Sequence, residues 1–127
     1  MKDNTIPKPY SDWRTKPYDR AEDAAYTFGY HLINHCRKAG VESLPEDLND
    51  IQREKVIKAI DVSLHNVLDL FEGFFSLESG KDHSIGYSLQ VLVQNINDRT
   101  KEIERIEITG QDMSIGYWKW AKDNEFR

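Results

Sequence analysis

One apolar stripe constrains the fold of this chain more than any other feature of the sequence. Its seven members recur at the three- and four-residue intervals of an α-helix and predict one long core helix. They are Ile57, Ile60, Leu64, Val67, Leu68, Phe71 and Phe75. Polar residues accompany the stripe along one flank at the same kind of spacing, and they are Asp61, His65, Asp69 and Glu72. This polar row is either a functional site or a charged helix surface that faces solvent.

A second apolar face predicts an earlier helix over residues 19–39. Its members are Ala21, Ala25, Phe28, Leu32, Cys36 and Ala39. Gly40 follows this face and is expected to end the helix in a left-handed conformation. Ser43 and Glu46 have the spacing of a capping box, so we expect the long helix to begin between residues 44 and 50. That helix is expected to end near Phe75.

The residues after His83 change from helical spacing to alternation. Apolar residues alternate with polar or small ones over 85–93, apart from Leu92, and again over 104–108, with turn-forming residues between the two runs. This pattern predicts a β-hairpin. The alternative is a single helix over 89–108, since the apolar residues there also fit a helical period. The aromatic tail at 113–120 fits either a short strand or a single helical turn.

Together these patterns predict an α+β fold in a single domain of 127 residues. Two long antiparallel helices pack against a small antiparallel sheet, which consists of the hairpin and, as one option, a C-terminal strand. The expected divisions are an extended proline-rich arm at 1–17, a helical half at 18–79, and the hairpin with its aromatic tail at 83–127. We expect the arm to pack across the helices through its aromatic residues.

Charge and composition exclude several classes of function. The chain carries a net charge of −5, and residues 21–80 hold eleven acidic and five basic residues. An acidic surface disfavours nucleic acid and favours a basic protein partner. No stretch resembles a secretory signal or a membrane span, and the single cysteine allows no intrachain disulfide, so we expect a cytoplasmic protein. Cys36 itself lies on the apolar face and is expected to be a small core residue rather than a nucleophile.

Histidines and carboxylates offer one candidate for chemistry. His31 and His35 are four residues apart on the first helix, a spacing that lets both imidazoles reach one metal ion. A metal or acid–base site would combine them with residues of the polar row, and its members would be His31, His35, Asp61, His65 and Glu72. The sequence contains neither H-E-x-x-H nor C-x-x-C, nor a glycine motif for nucleotides. We therefore expect no resident metal or cofactor, and an enzyme is the less favoured hypothesis.

The favoured hypothesis is a non-enzymatic domain that binds another protein, as an accessory, inhibitor or immunity-type protein. Acidic residues would steer a basic partner, and they are Glu46, Asp47, Asp50 and Glu54. Tyr117, Trp118 and Trp120 are candidate anchors for that partner, although packing in the core is the default expectation for these aromatics. A third hypothesis is a homodimer in which the aromatic tail pairs with its own copy.

Overall fold

The computed structural model describes residues 7–72 and 77–123, and its helices and antiparallel strands confirm the predicted α+β class. The helices are α1 (Pro17–His31), α2 (Lys38–Glu42), α3 (Asp50–Phe71) and α4 (Met113–Asp123). The strands are β1 (Leu77–Ser79), β2 (His83–Ile85), β3 (Gln90–Gln94) and β4 (Glu102–Glu107). Residues 1–6 of the expected arm and Phe75 of the apolar stripe lie outside the described residues. Among the described helices, none is both long and apolar enough to cross a membrane.

The first helix is longer than the sequence pattern indicates. Pro17 occupies the first turn of α1, where its missing N–H costs nothing, and α1 continues through a π-helical stretch, Leu32–Arg37, into α2. The prediction that Gly40 ends the helix is wrong, since Gly40 lies inside α2 and the C-terminal cap is Ser43. Gly40 lies beside α3, where an added Cβ would be at an ordinary contact distance of 3.5 Å from Ile60 Cδ1, so the packing there does not require glycine.

The buried side of this helix also differs from the predicted face. It advances in steps of four residues through Ala21, Ala25, Gly29 and Ile33, all of which are buried. The wider turn of the π-helical stretch continues this four-residue step, so the face reaches Arg37, whose side chain is only 13% exposed. Cys36 is exposed, and the expectation that it belongs to the core is therefore wrong.

The long helix α3 begins where the sequence allows, but with a different cap. Asn49 accepts a hydrogen bond from the backbone N–H of Gln52, and the Gln52 side chain accepts one from the N–H of Asn49. This reciprocal pair is the capping box, so the prediction that Ser43 and Glu46 form it is wrong. The Ser43 hydroxyl donates instead to the carbonyl of Gly40 at the end of α2.

The first predicted strand is shorter than expected, since β3 begins at Gln90 while Ile85 lies in β2. Strands β3 and β4 form the predicted hairpin. They pair antiparallel with Val91 opposite Ile106, which excludes the alternative of a single helix over 89–108. Alternation puts Val91, Val93 and Ile106 on the side that packs against α1. A second small hairpin, β1–β2, surrounds the turn expected near residue 80, where Gly80 adopts a positive φ of 75°.

The aromatic tail forms the helix α4, so the strand option for residues 113–120 is wrong. Helical spacing brings Met113, Tyr117 and Trp120 to one side, where all three are buried. This side contacts both α1 and α3. The arm also packs on the body, since Trp13 is buried in the core and Lys8 forms an ion pair with Asp23 of α1.

Candidate functional site

Asp61 of the polar row lies at the meeting point of three helical segments. Arg37 Nε donates to Asp61 Oδ1 at 2.6 Å, and a second guanidinium nitrogen lies 3.3 Å from Oδ2. The hydroxyl of Tyr117 on α4 donates to Asp61 Oδ1 at 2.6 Å. Asp61 is only 14% exposed, so these contacts neutralise a carboxylate that is largely removed from water. Its oxygens are already occupied, which makes Asp61 a structural partner rather than a free general base.

The electrostatics of this cluster reinforce its structural character. The hydrogen bond to Asp61 raises the pKa of Arg37, which keeps the guanidinium charged. Burial, and then the neighbouring Asp61 carboxylate, raise the pKa of Tyr117 well above its ordinary value. Tyr117 therefore stays protonated and continues to donate to Asp61 over the whole physiological pH range.

Glu72, at the other end of the polar row, holds the start of α4. Its carboxylate accepts a hydrogen bond from the backbone N–H of Met113 at 2.7 Å and another from that of Gly110 at 3.2 Å. The first backbone N–H groups of a helix have no partner within the helix, and a carboxylate there also interacts favourably with the helix dipole. Glu72 thus caps a helix that begins 41 residues later in the chain.

His65 and Asp69 form the middle of the row and border α4. His65 Nδ1 lies 3.9 Å from a carboxylate oxygen of Asp69, and the imidazole lies over the indole of Trp118 with 5.4 Å between ring centroids. Trp118 is 45% exposed, so this part of the row reaches solvent. It is the place where the polar row and the aromatic tail meet at the surface.

The histidines of the first helix do not complete a site with this row. His31 and His35 are both exposed, and the ring of His31 contacts that of Tyr30. Over residues 7–72 and 77–123, no three histidine, cysteine or acidic side chains are grouped closely enough to hold a metal ion. Since Asp61 and Glu72 are bound to Arg37 and to the α4 backbone, the geometry gives no support to the metal or acid–base alternative.

The candidate partner-binding residues divide into an exposed and a buried group. Glu46, Asp47, Asp50 and Glu54 are all exposed around the beginning of α3. Tyr117 is completely buried and Trp120 is 6% exposed, so neither is available as an anchor, and these two assignments are wrong. The reason is helical spacing, which turns Tyr117 and Trp120 inward and leaves Trp118 and Ile115 outside.

A second exposed surface was not recognised from the sequence. One side of α3 carries seven exposed side chains that are apolar, small or polar without charge, with the exposed Lys55 at its N-terminal end, and we call it the neutral face. Its members are Val56, Ala59, Val62, Ser63, Asn66, Val67 and Leu70. A shallow open hollow of about 510 Å³ on this face is lined by Ser63, Asn66, Val67 and Leu70. Val67 is 48% exposed, so its assignment to the buried stripe is wrong.

Two further carboxylates, on α1 and β4, hold the arm and were also missed. Burial would raise the pKa of Asp23, but hydrogen bonds from the Arg14 side chain and backbone and from Lys8 lower it overall. Glu104 receives hydrogen bonds from Nε and from a terminal nitrogen of the Arg20 guanidinium, and Arg20 and Tyr10 lower the pKa of this carboxyl. Ion pairs between such distant positions have no local sequence signal.

Comparisons with known proteins contribute no relative. No protein-family model matches the chain, and neither the curated proteins nor the solved structures contain a significant match.

Proposed function

We propose that this protein is a non-enzymatic domain that binds another protein. The observation that carries the proposal is the position of Trp118, which is 45% exposed while the other two aromatic residues of α4 are buried. Ile115, one helical turn earlier, is 69% exposed beside it. Tryptophan supplies a large rigid contact area and is enriched among the residues that dominate binding energy. An exposed tryptophan next to an exposed isoleucine is thus a suitable anchor for a partner.

The acidic residues at the start of α3 support a basic partner. Glu46, Asp47, Asp50 and Glu54 are exposed, and none of the four forms a salt bridge with another of the described residues. Their charges are therefore available to act over a distance, and a net charge of −5 adds to their field. Such a field accelerates the encounter with a positively charged protein and selects against acidic ones. Accessory, inhibitor and immunity-type proteins are the functional classes that use binding of this kind.

The state of Cys36 is compatible with a reducing compartment, and we propose the cytoplasm. Cys36 is the only cysteine in the sequence, and it is exposed as a free thiol. Exposed free thiols persist where glutathione and thioredoxin keep them reduced.

Affinity purification of the tagged protein from an extract of the source cells tests the proposal. Three variants are compared with the natural chain: Trp118→Ala, a charge reversal of the four acidic residues to lysine, and Tyr18→Ala as the matched control. Tyr18 is an exposed aromatic residue of α1 at 66% exposure, far along the chain from the proposed anchor. We expect a basic protein that the natural chain and the control capture, and that both test variants lose.

The salt dependence of capture and an assay for turnover test the proposal further. Capture that depends on the acidic residues should weaken as ionic strength rises from about 0.05 M to about 0.5 M, because screening shortens the range of the field. The same set of proteins on all four baits would contradict the proposal. So would turnover of a small molecule that Trp118→Ala leaves unchanged and Asp61→Asn abolishes in a folded protein.

A further inference from the structure

We infer that strand β3 pairs with β3 of a second copy of this chain, in an antiparallel arrangement that joins the two hairpins into one four-stranded sheet. This self-association uses a different surface from the proposed partner site and does not depend on it. The β3–β4 hairpin is a two-stranded sheet, and neither of its outer edges is paired with another of the described strands. An unpaired edge presents a row of main-chain N–H and C=O groups that a further strand can bond.

The hydrogen bonds between β3 and β4 show which main-chain groups of β3 are unpaired. Leu89 accepts a hydrogen bond from the N–H of Ile108, and Asn95 donates one to the carbonyl of Lys101. Because the residues of an antiparallel strand bond to its two sides in alternation, every second residue between these two points directs its N–H and C=O away from β4. These residues are Gln90, Leu92 and Gln94. A row of this kind is satisfied by an extended strand, which is therefore the form that the occupant takes.

The two edges of the hairpin differ in their protection against such pairing. Strand β4 has three exposed charged residues, Glu102, Arg105 and Glu107, and its register with β3 shifts around Ile103. Charges and irregularities of this kind prevent another strand from adding to an edge. Strand β3 has neither protection along its outer edge, since residues 84–97 contain no lysine, arginine, aspartate or glutamate. The β3 edge is thus the open one, and a pair of copies joined through it does not add further copies through β4.

The sequence of β3 selects a second copy as the added strand. It is Gln-Val-Leu-Val-Gln, which reads the same in both directions. In an antiparallel pair with a two-fold axis at Leu92, each residue therefore faces a residue of its own type. The facing pairs are Leu92 with Leu92, Val91 with Val93, and Gln90 with Gln94 of the other copy. An unrelated strand matches β3 in this way only by chance, whereas a second copy always does.

The facing pairs on the outer side of the sheet favour association. Leu92 is 45% exposed in the single chain, and the two Leu92 side chains cover each other across the axis. The side-chain oxygen of Gln90 already accepts a hydrogen bond from Arg105, which leaves its amide N–H groups to donate to Gln94 of the other copy. No facing pair places like charges opposite each other, although the whole chain has a net charge of −5.

The length of β3 predicts a weak dimer. Its five residues span about 17 Å, so the contact is at the low end of specific interfaces and is expected to have a micromolar dissociation constant. The dimer should therefore form and dissociate within an accessible concentration range.

Sedimentation velocity over about 5 to 500 µM protein tests the inference. We expect the mean mass of the natural chain to rise from 14.8 kDa toward twice that value and no further. Leu92→Lys places two like charges across the axis and should weaken association at least about tenfold. Leu92 is exposed, so this variant should fold. Ile103→Lys is the matched control, since it makes the same kind of change at a residue of β4 that is 57% exposed, and it should associate like the natural chain.

Two pairs of charges test the direction of pairing. Gln90→Glu combined with Gln94→Lys places opposite charges in each facing pair, and this variant should associate at least as well as the natural chain. Lysine at both positions should weaken association at least about tenfold, even though it makes the chain less negative overall. A parallel pair would bring like charges together in both variants. Equal weakening of the two variants would therefore overturn the antiparallel arrangement.

Hydrogen exchange followed by NMR locates the contact. The Leu92 amide should become protected as the protein concentration rises, whereas the Arg105 amide on the outer edge of β4 should not. A natural chain that stays monomeric, a mass that grows beyond the dimer, or a Leu92→Lys variant that dimerises equally well would overturn the inference. Trp118→Ala should leave association unchanged, so failure of the partner proposal and failure of this one are separate results.

Discussion

The two sides of α3 differ from the ordinary surface helix, in which apolar residues are packed and polar residues are exposed. On the closed side, Asp61 and Glu72 are bound to Arg37, Tyr117 and the backbone of α4. On the open side, the neutral face presents valines and a leucine to solvent. Polar residues on the closed side position α4, and apolar residues on the open side are available for contacts with another molecule. Polarity alone therefore does not tell which side of a helix packs against the rest of the molecule and which side is exposed.

The largest expected effect on stability concerns the contact between α4 and α1. A Cβ on Gly29 would lie 2.3 Å from Cδ2 of Trp120, so Gly29→Ala must displace the indole or the helix that carries it. Displacing a well-packed side chain in this way should lower the free energy of unfolding by about 3 kcal/mol, which urea denaturation followed by tryptophan fluorescence measures.

Gly40→Ala provides the matched control for that change. Its Cβ would meet Ile60 at an ordinary contact distance of 3.5 Å, and Gly40 lies inside a helix. We expect a gain of about 0.5–1 kcal/mol, because alanine restricts the unfolded chain and favours the helix. If Gly29→Ala and Gly40→Ala lowered stability by similar amounts, the close contact of Gly29 with Trp120 would not explain the effect.

A smaller effect is expected from the hydroxyl of Tyr117. Tyr117→Phe removes a buried hydrogen bond to a carboxylate and should cost about 2 kcal/mol at pH 7. The pKa of Tyr117 is raised on folding, so its stabilising contribution is complete below the unfolded pKa of about 10 and is lost as the pH rises above it. The difference in unfolding free energy between the two proteins should therefore shrink between about pH 9 and pH 11. A difference that stays constant over this range would contradict the buried, protonated state of Tyr117.

The cap on α4 should have the smallest effect of the three. Glu72→Gln keeps the shape of the side chain but removes the charge that faces the first N–H groups of α4, at an expected cost of about 1 kcal/mol. Hydrogen exchange by NMR should show faster exchange of the Met113 amide and of the first turn of α4. Unchanged exchange at Met113 would exclude this role for Glu72.

Local patterns were sufficient for the class of fold. The alternation around Val91 and Ile106 predicted the hairpin, and the stripe through Leu64 and Leu68 predicted α3. These signals depend only on the period of the side chains along one segment. They could not predict that the tail forms a helix, because α4 depends on Glu72 as a cap and on Gly29 as a contact, and both residues are distant in sequence.

The candidate site was harder to predict for the same physical reason. The exposure of the acidic cluster around Asp50 agrees with its sequence, since acidic residues at the start of a helix are ordinarily solvated. The role of Asp61 depends on Arg37, which the π-helical stretch turns inward in place of Cys36. The buried position is therefore Arg37, one residue later than the predicted Cys36, and it holds an ion pair instead of a core cysteine. A pattern based on a regular α-helix does not predict this shift by one residue.

Adjacent residues provide the most direct test of the contrast between the two sides of α3. Asp61→Ala and Val62→Ala are compared by urea unfolding. Removing Asp61 leaves Arg37 largely buried without its carboxylate, and we expect a loss of about 3 kcal/mol. Removing the exposed side chain of Val62 should change the free energy of unfolding by less than about 0.5 kcal/mol. Equal losses of unfolding free energy, or a larger loss for Val62→Ala, would contradict this account, in which the polar side of α3 stabilises the fold and the neutral face does not.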